Sequence, residues 1–271
     1  MGRPSESGKT QYDANYGNFQ AEVYEQIRRE AFGEDIGQNS WLTADEQDRF
    51  LGWLDLSAGK TLLDVACGAG GPTLRAAAIS GCKVVGVDMH EQGIATARSL
   101  ASQKGLSTTA EFHVVDATRK LPFPDAAFDA VSCIDAINHF PDRLRLVQEW
   151  TRLLKPGGRM LFTDSITVTG PLTNAEISIR SSTSFYLFVP LGYDAAILTQ
   201  CGLKLLVTED CTRNMAKIAA ARRTARASKS AVLRGIEGDA GFEEQQQFLA
   251  TTARIADENR LSRFVYVAER A

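Results

Sequence analysis

Histidine is scarce in this 271-residue chain, with three residues, and cysteine is held to five. No Cys/His cluster has zinc spacing, so a metal centre is not expected. Five scattered cysteines, an odd number, do not form a disulfide framework and suit a reducing cytosol. Apolar runs stay well short of the roughly eighteen residues that a membrane span needs. The opening MGRPSESGKTQ lacks the apolar segment of a secretory signal, which points to a cytoplasmic protein. A net charge of −3 and a pI near 5.7 leave no footprint for a polyanionic partner, so nucleic acid is not expected. There is no internal repeat, and no pattern sets an oligomeric state.

What is present centres on Thr61–Thr73, TLLDVACGAGGPT. Leu62, Leu63 and Val65 read as a buried parallel strand, after which the chain turns to Ala66, Cys67, Gly68, Ala69, Gly70 and Gly71, with Pro72 where a helix would begin. That is the order of a nucleotide-binding α/β unit: strand, tight glycine turn, helix N-terminus. Glycine suits such a turn because the backbone must take strained dihedrals and lie against a ligand.

Further stations follow. Leu74–Ser80 reads as a short helix and Lys83–Val87 as a second strand ending at Asp88. An acid about twenty positions after the glycine turn can accept hydrogen bonds from ribose hydroxyls, or it can be an ordinary strand-ending Asp. Glu91–Lys104 reads as a helix closed by Gly105, Glu111–Asp116 as a third strand, and Phe128–Asp135 as a fourth. Arg159–Asp164 is a fifth strand, again ending in an acid.

The series Asp64-x-x-x-Gly68-x-Gly70, Asp88-Met89, Asp116-Ala117, Phe128-Asp129 and Leu154-Lys155-Pro156-Gly157-Gly158 resembles the class I S-adenosylmethionine-dependent methyltransferases. The likeness covers about Thr61–Ser165, with the stations in family order. It implies an α/β, Rossmann-like, seven-stranded and mostly parallel sheet with helices on both faces. It also implies S-adenosyl-L-methionine as cofactor, held by Asp64, Ala66, Cys67, Gly68, Gly70, Asp88, Met89, Asp116, Ala117 and Cys133, with Asp116 at the adenine. Ala66 departs from the family, which usually has glycine there, and weaker or shifted binding of the methionine moiety is the expected consequence.

Before this core, the pattern from Tyr12 to about Leu56 is helical, broken at Gly33 and resumed after Trp41. Thr43-Ala44-Asp45-Glu46 reads as a capping box leading into Gln47–Leu56. The break FGEDIGQNSW is a candidate lid hinge or an ordinary helix connection. FGEDIG is similar to a segment of phosphoethanolamine and sarcosine/dimethylglycine methyltransferases, and with that resemblance Trp41 is expected at the cofactor and Tyr16 among the catalytic candidates.

The fourth strand runs into Asp135-Ala136-Ile137-Asn138-His139 at the carboxyl edge of the sheet, where open α/β folds place ligands. A histidine there can take a proton near neutral pH, or it can cap the helix read over Asp142–Leu154. The D-A-I-x-H segment resembles the same amine methyltransferases, which implies substrate-pocket roles for Asp135 and His139. By likeness to sugar O-methyltransferases Asp164 works beside the histidine; otherwise it is a plain strand terminus.

Beyond Ser165 the expectations are a cap helix over Thr173–Phe188, a helix from Tyr193 to Gln200, a strand over Leu203–Glu209, long helices over Arg213–Arg234 and Glu243–Asn259, and an alternating last strand over Arg263–Glu269. Three units result: a lid over 1–58, a cofactor-binding core over 59–165, and cap helices with the last strands over 166–271. Ser184 stands where the phosphobase enzymes need an arginine, so a larger, more apolar acceptor is expected beside Phe185, Tyr186 and Phe188.

The reading is a small-molecule N- or O-methyltransferase. Macromolecular methylation is disfavoured by the acidic pI and by the lack of an Asn/Asp-Pro-Pro-aromatic motif. A non-catalytic cofactor-binding module is disfavoured by the intact acids and histidine. A nicotinamide oxidoreductase would want glycine where Leu74 stands.

Overall fold

The computed structural model describes residues 16–271, so the polar tract 1–11 and Tyr12 lie outside the described residues. Its centre is Thr61–Val65 (β1), an apolar strand that is buried along nearly its whole length because it pairs in parallel on both sides. On one side lie Lys83–Asp88 (β2) and Ala110–Val114 (β3); on the other lie Phe128–Cys133 (β4) and Leu154–Val168 (β5). Leu261–Arg270 (β8) runs antiparallel between β5 and Leu203–Asp210 (β7). The order is β3-β2-β1-β4-β5-β8-β7, with the two-residue Val189–Pro190 (β6) also paired to β5. The strand order reverses at β1, and the crevice beside that reversal is where open sheets of this kind bind ligands.

Both faces of the sheet are covered. Ala44–Trp53 (α2), Gly71–Ser80 (α3) and Glu91–Gln103 (α4) pack Phe50, Leu74 and Ile94 against Leu62 and Val84. Arg143–Leu153 (α5) and Tyr193–Gln200 (α7) pack Val147, Trp150 and Leu198 against Leu63, Val131 and Phe162 on the opposite face. Alternate residues of β1 thus feed two cores, as the period of two in a strand requires. Above the carboxyl edge, Glu22–Phe32 (α1) joins Thr212–Ala227 (α8) and Ser230–Asp257 (α9) through Ile27, Ala225, Leu233 and Phe242.

Several boundaries differ from the sequence expectation. The helix read over Thr173–Phe188 is Asn174–Arg180 (α6), opened by the Thr173/Glu176 capping box and ended where Ser181, Ser182, Thr183 and Ser184 begin. Short hydroxyl side chains compete for backbone hydrogen bonds, and Ser181 Oγ does donate to the Ile177 carbonyl. The helix read over Arg213–Arg234 stops at Ala227, and its last residues open α9, which runs through the expected Glu243 start with a break at Gly238 (φ 75°). The last strand does not alternate between buried and exposed: covered on both faces, it is buried from Leu261 to Ala268 except at Phe264.

Candidate functional site

The glycine turn is built from positive-φ residues: Ala66 (58°), Gly68 (56°) and Gly70 (75°). Side chains at the glycines would collide. A Cβ on Gly68 would stand 2.7 Å from the Tyr16 hydroxyl, and one on Gly70 would stand 2.7 Å from the Ala97 methyl. Gly71, which opens α3, lies directly under the Ile36 and Gly37 carbonyls of the segment before α2. That segment bonds itself, since Asp35 accepts from Gly37 N (2.8 Å) and from Arg28 Nε (2.8 Å). Gln47 Nε2 of α2 donates to the Pro72 carbonyl at 2.6 Å, a second tie from the N-terminal region to the glycine turn. The FGEDIG segment therefore packs as a bonded turn on the start of α3.

Asp88, at the end of β2, accepts from Gly68 N (2.8 Å) and His90 N (2.9 Å). Burial pushes its carboxyl up, against the pull of these backbone donors. Asp64 accepts from the Thr73 hydroxyl and from Ser132 Oγ (2.7 Å), and burial raises it to about 6. Asp64 thus sits beneath the turn as its brace. Cys67 and Cys133 are buried thiols, both pushed up by burial. Met89 is exposed beside Asp88. Asp116 folds its own loop by accepting from Thr118 N (3.0 Å) and Thr118 Oγ1 (2.6 Å), and Ala117 walls a groove of about 470 Å³ bordered by Phe140 and Arg145. Tyr16 lies over the glycine turn with its ring 5.7 Å from that of His90, on the cofactor side.

A second cavity, about 90 Å³, lies between Trp41, Asp135, His139, Arg180, Tyr186 and Phe248. His139 ends a single 3₁₀ turn, Ile137–His139, and its Nδ1 is 2.9 Å from the Phe185 carbonyl. A carbonyl only accepts, so Nδ1 carries the proton and Nε2 the lone pair. Burial depresses His139 to about 4, which leaves the ring neutral at neutral pH. His139 does not cap α5; Asp142 does, accepting from Arg145 N at 3.0 Å.

Asp135 stands on the wall of the same cavity as His139. Held at φ 51°, it accepts from Arg263 Nε (2.7 Å), Thr163 Oγ1 (2.8 Å) and Trp41 N (2.9 Å). It edges the cavity, but its oxygens are committed to the protein. Asp164 is farther removed: it is fully buried and ion-paired to Arg143 Nη1 at 2.8 Å, beneath the site and not in it. Trp41, expected at the cofactor, presents its ring to the cavity, stacked at 6.3 Å on Phe248.

Sequence reasoning missed Arg143 and Arg263, which hold these carboxylates, and Asp194 and Glu46, which accept from the same two arginines. The available signal was an arginine inside an otherwise apolar strand, LSRFVYV, since a buried arginine must be paired. Phe248 and Arg180 escaped because cavity walls drawn from distant helices leave no local pattern.

This arrangement, a parallel sheet with a glycine turn, a strand-end acid and a capped pocket at the carboxyl edge, is that of a class I methyltransferase. The segment 63–162 matches the family model of the methyltransferase domain. The 27-O-demethylrifamycin SV methyltransferase of Amycolatopsis mediterranei is 31% identical over 222 residues, 78% of this chain and 78% of that protein. Phosphoethanolamine N-methyltransferase 3 of Arabidopsis thaliana is 32% identical over 195 residues, which are 69% of this chain and 37% of that longer protein. Among solved structures, a cyclopropane synthase of Mycobacterium tuberculosis superposes with a TM-score of 0.82 over 97% of this chain and 98% of that one, at 18% identity, a likeness of fold. The chain belongs to the S-adenosylmethionine-dependent methyltransferases. Among the described residues, no helix is long and apolar enough to cross a membrane.

The glycine turn fits the cofactor: without side chains at Gly68, Gly70 and Gly71 its backbone packs closely at the carboxyl edge, and Asp88 stands at the strand end beside it. Backbone groups at 66–70, Asp88 and Met89 would hold it there.

Proposed function

We propose that this enzyme methylates a hydroxyl oxygen of a small-molecule acceptor, with His139 as general base. The observation that carries the proposal is the His139 Nδ1–Phe185 carbonyl contact, which leaves a neutral imidazole with its Nε2 lone pair. S-adenosylmethionine supplies an electrophilic methyl group on sulfur. The protein's share is to align the acceptor, exclude water and take the hydroxyl proton on Nε2. Alignment is worth about 7–11 kcal/mol, and a placed base a further 10²–10⁴-fold or so.

Oxygen is favoured over nitrogen by the charges around the cavity. Its carboxylate, Asp135, is neutralised by Arg263, and the other charged side chains on its wall are Arg180 and Arg222. An ammonium acceptor would meet no uncommitted carboxylate among the described residues, whereas an alcohol needs a neutral base. The cavity takes the end of an acceptor, and the exposed ring of Phe185 at the strap beside it suits a large apolar body. The relative from Amycolatopsis, by its name, acts on a molecule of that kind. Five free cysteines, four of them buried, fit a reducing compartment, and on that ground we place the enzyme in the cytoplasm.

The test is methyl transfer from labelled S-adenosylmethionine to panels of hydroxylated polyketides and of amines. O-methyl products, with His139→Gln lowering kcat about 10²–10⁴-fold at nearly unchanged cofactor affinity, are expected. N-methyl products, or near-normal turnover by folded His139→Gln, would overturn the assignment.

A further inference from the structure

The contact that sets the His139 tautomer comes from a segment with no regular secondary structure, residues 181–188. This strap is fixed at Leu187, whose N–H donates to the Asn138 carbonyl (2.8 Å) and whose carbonyl accepts from Arg143 Nη2 (2.8 Å). Asn138 and His139 are neighbours on one 3₁₀ turn, so the strap is tied to the turn twice: at residue 187 by the backbone, and at residue 185 by the imidazole. The Tyr186 ring between these ties lies 4.6 Å from the His139 ring.

Arg143 reaches this strap from the core. It opens α5 and is fully buried. Its Nη1 donates to Asp164 Oδ2 at 2.8 Å and to both oxygens of Asp194 at 2.9 Å. Asp164 is itself held on β5, where Oδ1 accepts from Ile166 N (3.2 Å) and Oδ2 from Thr167 Oγ1 (3.3 Å). Asp194 sits in the first turn of α7. Two rigid elements therefore fix one edge of a planar guanidinium, and that planarity directs the other edge at the Leu187 carbonyl. A lysine has no such second edge.

We propose that Arg143 is the positioning residue for His139: by gripping Leu187 it keeps the Phe185 carbonyl on Nδ1 and so holds the imidazole in the Nδ1–H tautomer. This gives Asp164 a place in the reaction without contact with substrate, as the anchor of Arg143. The inference rests on the reading of His139 as base, but its geometry can be tested apart from turnover.

With three histidines in the chain, the His139 ring nitrogens can be assigned by NMR through the signal that His139→Gln removes. In the wild-type protein with bound S-adenosylhomocysteine, the ring is expected as the Nδ1–H tautomer. Arg143→Lys retains a cation between the two aspartates but releases the strap. We expect it to give a mixed tautomer and a His139 titration moved up toward the ordinary histidine range, with cofactor affinity within about two-fold. The charges that act on the ring, from Arg180, His90 and Asp164, stay in place in that variant, so a shift reports the strap. Asp194→Asn, which slackens the anchor and leaves the arginine, is expected to move both readouts in the same direction by less, and it carries the test if Arg143→Lys does not fold. An unchanged tautomer and titration in either folded variant would overturn the role of Arg143. Loss of the tautomer with normal turnover would instead overturn His139 as the base.

Discussion

The backbone N–H of Trp41 donates to Asp135 Oδ2 at 2.9 Å, joining the segment before α2 to the residue that leads β4 into the site. The other oxygen of Asp135 receives Arg263 Nε, and Arg263 Nη1 reaches Glu46 on α2 at 2.9 Å. One carboxylate therefore couples the N-terminal region, the sheet and the last strand, and it does so at a positive φ.

Removing that carboxylate leaves a buried guanidinium with half its compensation. Asp135→Ala is expected to cost about 3–5 kcal/mol, the range for breaking a buried pair. Asp135→Asn, which keeps the acceptor toward Trp41 and tolerates a left-handed backbone, should cost about 1–2 kcal/mol. Urea denaturation measures both. A loss below about 1 kcal/mol for Asp135→Ala would show that the network carries little of the stability.

Asp88 tests the cofactor cradle. Asp88→Ala is expected to weaken S-adenosylhomocysteine binding by about 2–5 kcal/mol, because the bonds it offers are buried and charge-assisted. The change also strips Gly68 N and His90 N of their acceptor, so a melting curve should fall with it. Calorimetric affinity that stays unchanged in the folded variant would remove Asp88 from the site.

The sheet was legible because each parallel strand ends in a recognisable station. The acids within β1, at the end of β2 and after β4, and the glycines between β1 and α3, carry local signals of turn and burial. The roles of Asp135 and Asp164 were not legible. Their partners lie 128 and 21 residues away, and ion pairing at such separations leaves no periodicity in the chain. Family likeness put Asp135 in the substrate pocket and Asp164 beside the histidine, and arginines bind both carboxylates. The cap was misread for a local reason: the capping box at Thr173 starts a helix, but four hydroxyl residues in a row end it within two turns.

Ala66 was flagged as the departure from the family glycine, and its φ of 58° gives that departure a cost. A left-handed alanine is about 1–2 kcal/mol above its relaxed state, partly offset by the extra freedom that glycine has when unfolded. Ala66→Gly should therefore stabilise the protein by about 0.5–1 kcal/mol, read as a raised Tm, and tighten cofactor binding. A lowered Tm would mean that the Ala66 methyl makes contacts worth more than the strain.

Acid stability isolates His139 without any acceptor. Its folded value, depressed by burial to about 4, lies below the ordinary 6.5. Between those values the unfolded chain holds a proton that the folded chain lacks, so acidification favours unfolding. The stabilisation is thus complete above about 6.5 and is lost as pH falls toward 4. At about 1.4 kcal/mol per unit it amounts to at most about 3.5 kcal/mol. Asp64 and Asp194, raised by burial to about 6 and about 7, act with the opposite sign, because their folded forms keep protons that the unfolded chain releases. Wild type and His139→Gln share those two carboxyls, so the difference between their stability curves reports the imidazole. Glutamine can still donate to the Phe185 carbonyl, which keeps the strap in place. Wild type should lose more stability than His139→Gln between pH 7 and pH 4, and denaturant melts across that window measure it. A difference that stays constant with pH would mean that His139 titrates as an ordinary surface histidine, and its standing as a neutral base with an oriented lone pair would go with it.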